Sequence, residues 1–142
     1  MDPKKKVTSI VKFSKTPQNI SDRLFIWPAK GKIERKFGYY ANRKQHNDGI
    51  DIRVTGKKIV KASSDGKIAF VGSKIRSFGN MILIKHDKVW VTAYAKLGKL
   101  LVSEGDIIKK GDVIASMQEG NDVFHFQIRK SRNPINPVTL LN

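Results

Sequence analysis

The stretch NMILIKHDKVWVTAYAKL, residues 80–97, contains two apolar runs that are rich in Ile, Val, Trp and Tyr. Such runs are typical of β-strands, because β-branched and aromatic side chains fit a pleated surface. No segment of the chain keeps an apolar period of about 3.6 residues over three turns, so long amphipathic helices are not predicted. The stretch therefore predicts a protein built on β-sheet.

The same pattern recurs on both sides of this stretch in short runs. These runs are GKIERKFG (31–38), GIDIRV (49–54), KKIVKAS (57–63), GKIAFVG (66–72), DVIASM (112–117) and VFHFQIR (123–129). Between the runs, SDGK, SFGN, SEGD and KKGD predict turns in which Gly takes a positive φ and Asp or Asn bonds the local backbone. Regularly spaced short strands of this kind predict the all-β fold class.

Length and composition limit what else the chain can be. At 142 residues it is most simply one domain, and we assign residues 1–24 to a basic polar tail or linker and residues 25–142 to the β domain. The sequence has no Cys, so any metal must be held by His, Asp or Glu. No apolar run is long enough to span a bilayer, and MDPKKKVTSIVKF lacks the apolar core of a signal peptide. We therefore expect a cytoplasmic protein or an excised mature piece of an exported one.

The charge is strongly positive, with 28 Lys and Arg against 12 Asp and Glu and a net charge of +16. This excess favours polyanionic partners such as nucleic acid, acidic wall polymers or an anionic membrane surface. The basic residues are scattered through turns and lack the stacked aromatic strand face of single-strand binders. Specific nucleic-acid binding is therefore not expected, and generic polyanion binding stays an alternative.

Five strings in the same order resemble the LytM-type (lysostaphin-like) zinc endopeptidases of bacterial cell walls. The strings, within residues 25–142, are WPAKGKIERKFG, NDGIDI, SFGNMILIKHDKVWVTAYAKL, VSEGDIIKKGDVIA and VFHFQIRKSRNPINPVTLL. The resemblance implies antiparallel sheets in a flattened, partly open barrel of the duplicated-hybrid-motif type. The Gly-Asp hairpins are also typical of lipoyl and biotinyl carrier domains, but the context of the modified Lys in those domains is missing.

The resemblance also locates a zinc site. In active members, two residues of HxGID and the second His of HxH bind zinc, while the first His of HxH and the His of YAHL handle the water and the developing charge. The ligand positions are Asn47, Asp51 and His125 here, and the other two positions are Val123 and Lys96. A catalytic zinc normally has three protein ligands, and only Asp51 and His125 suit it. We therefore interpret RKQHNDGIDI, residues 43–52, as the remains of a metal site and predict no bound metal or other cofactor.

The chemistry of the replaced residues supports that interpretation. Val123 and His125 are two apart on a predicted strand and face the same side, but an aliphatic group can neither bind metal nor move a proton. The amide of Asn47 is a poor replacement for imidazole. A Lys ammonium at position 96 cannot be a general base and would repel Zn²⁺. Lys96 could instead form a salt bridge with Asp51, and Asp51 could hydrogen-bond His125.

The two remaining His residues are weaker candidates. His46 adjoins Asn47, and a one-residue shift in a strand turns a side chain to the opposite face, although an irregular loop would relax that rule. If any metal binds, its ligands are expected to be Asp51, His125 and His46. His86 is interpreted as an exposed residue at a strand end.

Degenerate LytM domains of the NlpD and EnvC kind lack zinc ligands and activate separate murein amidases. The resemblance implies a non-catalytic, monomeric cell-wall factor of the bacterial envelope or periplasm, with an N-acetylmuramoyl-L-alanine amidase as partner and peptidoglycan as an open second partner. The predicted contact surface is the former catalytic groove, with Asn47, Asp51, Lys96, His125, Tyr39, Tyr40, Arg53 and Phe78. The alternative is an active zinc-dependent peptidoglycan endopeptidase with a rearranged ligand set.

Overall fold

The computed structural model describes residues 25–142, and within them the chain is almost entirely β-structure. The strands of this part are β1 Gly31–Arg35, β2 Gly38–Tyr40, β3 Gln45–Asn47, β4 Ile50–Val54, β5 Ile59–Lys61, β6 Gly66–Ile75, β7 Gly79–Lys85, β8 Trp90–Leu97, β9 Ile107–Ile108, β10 Val113–Ser116, β11 Val123–Lys130 and β12 Asn133–Ile135. A single 3₁₀ turn in the described part, Pro137–Thr139, follows β12. Every run predicted as a strand contains one, whereas the tail predicted for residues 1–24 lies outside the described residues.

Most of these strands form one antiparallel sheet. Its order is β1-β4-β11-β8-β7-β6-β9, and β12 also pairs with β11. Two smaller sheets consist of β5 with β10 and of β2 with β3. In the described residues none of the sheets closes on itself, which confirms the predicted all-β fold of antiparallel sheets in a partly open barrel. No helix in this part of the chain is long and apolar enough to cross a membrane.

One face of the large sheet carries the hydrophobic core. Alternate residues of the central strand β11, Phe124, Phe126 and Ile128, are fully buried. The adjacent strands β4 and β8 and the next strand β7 contribute Ile50, Ile52, Val54, Tyr94, Ile82 and Ile84 to the same core. Burying an aliphatic or aromatic side chain of this size contributes about 1.5–3 kcal/mol. Because side chains alternate along a strand, the intervening residues of β4 and β11 lie on the opposite face, which carries the candidate site.

Three of the four predicted glycine turns have the expected conformation. Gly79, Gly105 and Gly111 have φ angles of 63°, 93° and 91°, which residues with a Cβ rarely adopt. The prediction for Gly66 is wrong, because this residue begins β6 and is not among the glycines with positive φ. A Cβ at Gly66 would lie 2.6 Å from the carbonyl oxygen of Lys85. Gly66 is therefore required by the close approach of two strands.

His86 is buried, so its interpretation as an exposed residue is wrong. Its ring nitrogens lie 2.6 Å from the Asp65 carbonyl oxygen and 2.8 Å from the Thr92 hydroxyl. The chain of hydrogen bonds continues from Thr92 to the hydroxyl of Tyr94, which accepts from the amide of Ser63. Burial lowers the pKa of His86 to about 4. His86 is therefore neutral near pH 7, and its hydrogen bonds connect β8 with the residues before β6.

Candidate functional site

Asp51 and His125, the two residues that suit a zinc site, lie side by side on the face of the large sheet opposite the core. They are direct partners in the antiparallel pairing of β4 with β11. Nδ1 of His125 is 2.8 Å from Oδ1 of Asp51, and the two side chains are only 13% and 20% exposed. This bond links β4 and β11. Breaking it would be unfavourable, because it would leave polar atoms with little access to water.

His125 belongs to a longer chain of hydrogen bonds along β11. Its Nε2 lies 2.9 Å from Nε2 of Gln127, and Nη1 of Arg129 donates to Oε1 of Gln127 at 2.7 Å. Because a guanidinium can only donate, the Gln127 carbonyl accepts and the Gln127 amide donates to His125. This order places the ring hydrogen on Nδ1, which donates it to Asp51. Both ring nitrogens are therefore engaged by protein groups.

Asn47, at the first predicted ligand position, is buried, and its side chain binds backbone. Its Nδ2 donates to the carbonyl of Lys36 at 3.1 Å, and its Oδ1 accepts from the amide of Gly49 at 3.3 Å. A Cβ at Gly49 would lie 2.1 Å from the carbonyl oxygen of Phe126, so this turn runs directly against β11. Asn47 thus stabilises the turn that leads into β4 and delivers Asp51 to the sheet.

Lys96 lies near the pair but does not bind it. Its neighbour Ala95 is the β8 partner of His125, whereas Lys96 itself is exposed and has a φ of 61°. Among the described residues, Asp51 forms an ion pair with His125 and none with Lys96. The prediction of a salt bridge between Lys96 and Asp51 is therefore wrong. The left-handed backbone at Lys96 interrupts the strand alternation that would otherwise direct its side chain. Val123, partly buried, is opposite Arg53 in the pairing of β4 with β11.

His46 belongs to a separate hairpin. Its Nδ1 lies 2.7 Å from Oδ1 of Asp48. Its ring packs edge-on against Phe37 and Tyr39, with centroid distances of 5.1 and 4.5 Å. The structure does not bring His46 together with the retained pair as a three-ligand group within residues 25–142.

The predicted rim residues have different surroundings. Tyr39 is 63% exposed and Phe78 is 38% exposed, so both are available to a partner. The Tyr40 hydroxyl donates to a backbone carbonyl at 2.6 Å. Arg53 donates to both carboxylate oxygens of Glu34, at 2.9 and 3.1 Å. This hydrogen-bonded pair lowers the pKa of Glu34 and raises the pKa of Arg53.

The donor atoms at this site do not fit a catalytic zinc, which needs three protein ligands. In the part of the chain that the structure describes, no three His, Asp or Glu residues lie close enough to hold an ion. Both nitrogens of His125 are hydrogen-bonded, and both amide atoms of Asn47 are bonded to backbone. The arrangement instead forms a rigid, polar and partly buried surface.

Gln127 and Arg129 were not predicted as site residues. They follow His125 at intervals of two, so strand alternation alone places all three side chains on one face of β11. This two-residue spacing of polar side chains is visible in the sequence VFHFQIR. The direction of the hydrogen bonds, in contrast, depends on the contacts of the folded chain.

Fold and site together define an all-β domain with a carboxylate–imidazole pair on one face of its large sheet. The chain belongs to peptidase family M23, whose family model matches residues 45–137. It is similar in structure to lysostaphin, an antimicrobial peptidase from Staphylococcus simulans, with a TM-score of 0.65 and 26% identity. This match covers 78% of the chain and 49% of lysostaphin.

Two relatives from Escherichia coli are similar over most of the chain. The uncharacterized lipoprotein YgeR is 33% identical over an alignment of 143 positions that covers 96% of this chain and 56% of YgeR. The murein hydrolase activator NlpD is 34% identical over 118 residues, which are 81% of this chain and 30% of NlpD. The chain thus spans less than two thirds of either relative. These similarities confirm the predicted LytM family and the likeness to NlpD.

Proposed function

We propose that the protein is a non-catalytic activator of an N-acetylmuramoyl-L-alanine amidase and binds that amidase through its vacated zinc groove. The observation that carries this proposal is the chain of hydrogen bonds from Arg129 through Gln127 and His125 to Asp51. It engages both ring nitrogens of His125 and Oδ1 of Asp51. The relative named murein hydrolase activator NlpD supports the activating role.

Activation requires unequal binding to two states of the amidase. The activator favours an open amidase, in which an inhibitory helix has left the active site, only if it binds that state more tightly than the closed state. To change a closed-to-open ratio of about 99:1 into about 1:99, the activator must bind the open amidase about 10⁴-fold more tightly than the closed one. The rigid pair of Asp51 and His125 forms a groove floor that need not reorganise on binding. Lys96, Phe78 and Tyr39 are the exposed groups around it.

The bacterial cell envelope is the location that fits this role. Peptidoglycan lies there, and the relative YgeR is a lipoprotein. The activator acts as a monomer without a cofactor of its own, since the amidase supplies the catalytic centre. Direct binding to peptidoglycan is not required by this mechanism.

The decisive experiment is release of dye from labelled peptidoglycan by the chain alone, by an amidase from the same organism, and by the mixture. We expect release to increase several-fold only in the mixture. Asp51→Ala and Lys96→Glu should each reduce that increase. Lys88→Glu is the matched control, because Lys88 is exposed and lies at the opposite end of the β7–β8 hairpin.

Two outcomes would contradict the proposal. Release by the chain alone, abolished by a chelator, would show an active zinc peptidase in spite of the incomplete ligand set. A mixture that releases no more dye than the amidase alone would show that this chain does not activate that enzyme.

A further inference from the structure

A basic cavity of about 800 Å³ opens beside the vacated groove. It is lined by the end of β6, the start of β7 and the turn between them, by the end of β8 and the residues after it, and by the end of β10 and the residues after it. Its charged lining residues are Lys74, Lys96 and Lys99, and none of the described residues that line it is acidic. Lys96 belongs to both the cavity and the groove, so the two surfaces are continuous.

The backbone around this cavity is held in an unfavourable conformation. Lys74, Ser77 and Lys96 have φ angles of 54°, 71° and 61°, and all three residues line the cavity. Residues with a Cβ rarely adopt such angles, and clusters of them persist where the surroundings impose them. Strain of this kind is typical of ligand clamps. A glycine at either lysine position would relieve it, so the sequence keeps lysine where glycine would fit the backbone better.

Two asparagines impose this conformation through hydrogen bonds. The Asn80 side chain accepts from the amide of Lys74 at 3.0 Å and donates to the carbonyl of Gly98 at 2.7 Å. The Asn121 side chain donates to the carbonyl of Lys96 at 3.2 Å. In residues 25–142 the ion pairs involve none of the three cavity lysines. The backbones of Lys74 and Lys96 are therefore held by hydrogen bonds. Their ammonium groups form no ion pair within the described residues and can bind an anionic ligand.

We propose that this cavity binds an acidic segment of the partner amidase, whose carboxylates pair with Lys74, Lys96 and Lys99. This inference rests on the proposed function and deepens it by naming the chemistry of the bound segment. Charge complementarity favours an anion, and the lining also includes the apolar side chains of Leu97 and Met117. A peptide can present carboxylates beside an apolar side chain, whereas a polyphosphate-like wall polymer cannot.

The test removes cavity charge without changing the groove. Lys74→Gly with Lys99→Gln leaves Asn47, Asp51 and His125 intact, and Lys74→Gly relieves the strained φ. The matched control is Lys85→Gln with Lys88→Gln, two exposed lysines at the far end of the β7–β8 hairpin. Affinity for the purified amidase is measured by calorimetry, and activation by dye release.

We expect the cavity double variant to lose about tenfold in affinity, the sum of two modest ion pairs, and the control to lose none. Added salt should weaken binding of the unmodified chain more than that of the cavity variant. The thermal midpoint of the cavity variant should equal or exceed that of the control. If it falls instead, Lys74→Gln with Lys99→Gln removes the same charge without the change to glycine.

Three results would overturn the inference. Unchanged affinity and activation in the folded cavity variant would leave the proposed function standing and assign the cavity no part in it. Loss of binding to purified peptidoglycan, with amidase binding retained, would assign the cavity to the wall polymer. Failure of the unmodified chain itself to bind the amidase would overturn the proposed function together with this inference.

Discussion

Two histidines of this domain, His86 and His125, each belong to a chain of hydrogen bonds, but the two chains lie on opposite faces of the large sheet. The chain from His86 runs through Thr92 and Tyr94 inside the core, and all of its members are neutral. The chain through His125 starts at the guanidinium of Arg129 and ends at a carboxylate.

The difference shows how a bonded carboxylate changes the role of a buried imidazole. Burial lowers the pKa of His86 to about 4, since no carboxylate bonds its ring and desolvation opposes the charged form. At His125 the anion on one side and the amide on the other fix the tautomer instead. His86 can therefore serve only the fold, whereas His125 presents a fixed polar surface at the groove.

Removing each ring should separate the two roles most clearly. We expect His86→Ala to lower the free energy of unfolding by about 3–5 kcal/mol, because it leaves a cavity and unpaired buried polar groups. His125→Ala should cost less, about 1–3 kcal/mol, because it leaves polar partners with little access to water but opens no cavity in the hydrophobic core. Urea denaturation at neutral pH measures both values. Equal losses would show that the two networks do not differ in this way.

Acid should also lower the free energy of unfolding through His86, by slightly less than the His86→Ala substitution does. The unfolded chain takes up a proton on His86 near the ordinary pKa of 6.5, whereas the folded chain does so only near pH 4. Stability is therefore present above about pH 6.5 and is lost as the pH falls, by about 3 kcal/mol at about pH 4. Denaturation curves across this range measure the loss. In His86→Asn the dependence should be smaller by that amount, and an unchanged slope would contradict the assignment to His86.

Restoring a ligand should convert the site network into a metal site. Asn47→His supplies the imidazole that the family has at this position, so Asp51 and His125 gain the third ligand that a zinc ion requires. At free zinc about 100 times the dissociation constant, the folded variant should gain about 2.7 kcal/mol in stability. Zinc titration with thermal unfolding measures this shift.

The matched control for that experiment is Lys88→His, which adds an imidazole at an exposed position at the far end of the β7–β8 hairpin. We expect it to bind no zinc. Binding by the unmodified chain would show that the hydrogen bonds of Asn47 and His125 yield easily to a metal.

Much of the fold follows from local patterns in the sequence. Short apolar runs between Gly-containing turns predicted eight of the strands, and the motifs NDGIDI and VFHFQIR marked the two that carry the site. The hairpin of β2 and β3 and the two short strands β9 and β12 were not predicted, because each strand has only two or three residues, too few to show an apolar alternation. The boundary at residue 24 stays a prediction.

The sequence by itself determined that this domain is a β protein of the LytM type, and it predicts that Asn47, Lys96 and Val123 do not serve zinc chemistry. That prediction rests on the chemical identity of the three side chains. Only the tertiary structure decided which groups Asp51 and His125 contact, because β4, β11 and β8 are adjacent in the sheet but distant in the chain. Their register joins His125 to Asp51, while Lys74 and Lys96, which both have positive φ angles, come from separate strands to line one cavity. Side-chain alternation predicts the face of a strand, but hydrogen-bond partners and backbone strain depend on which strands become neighbours.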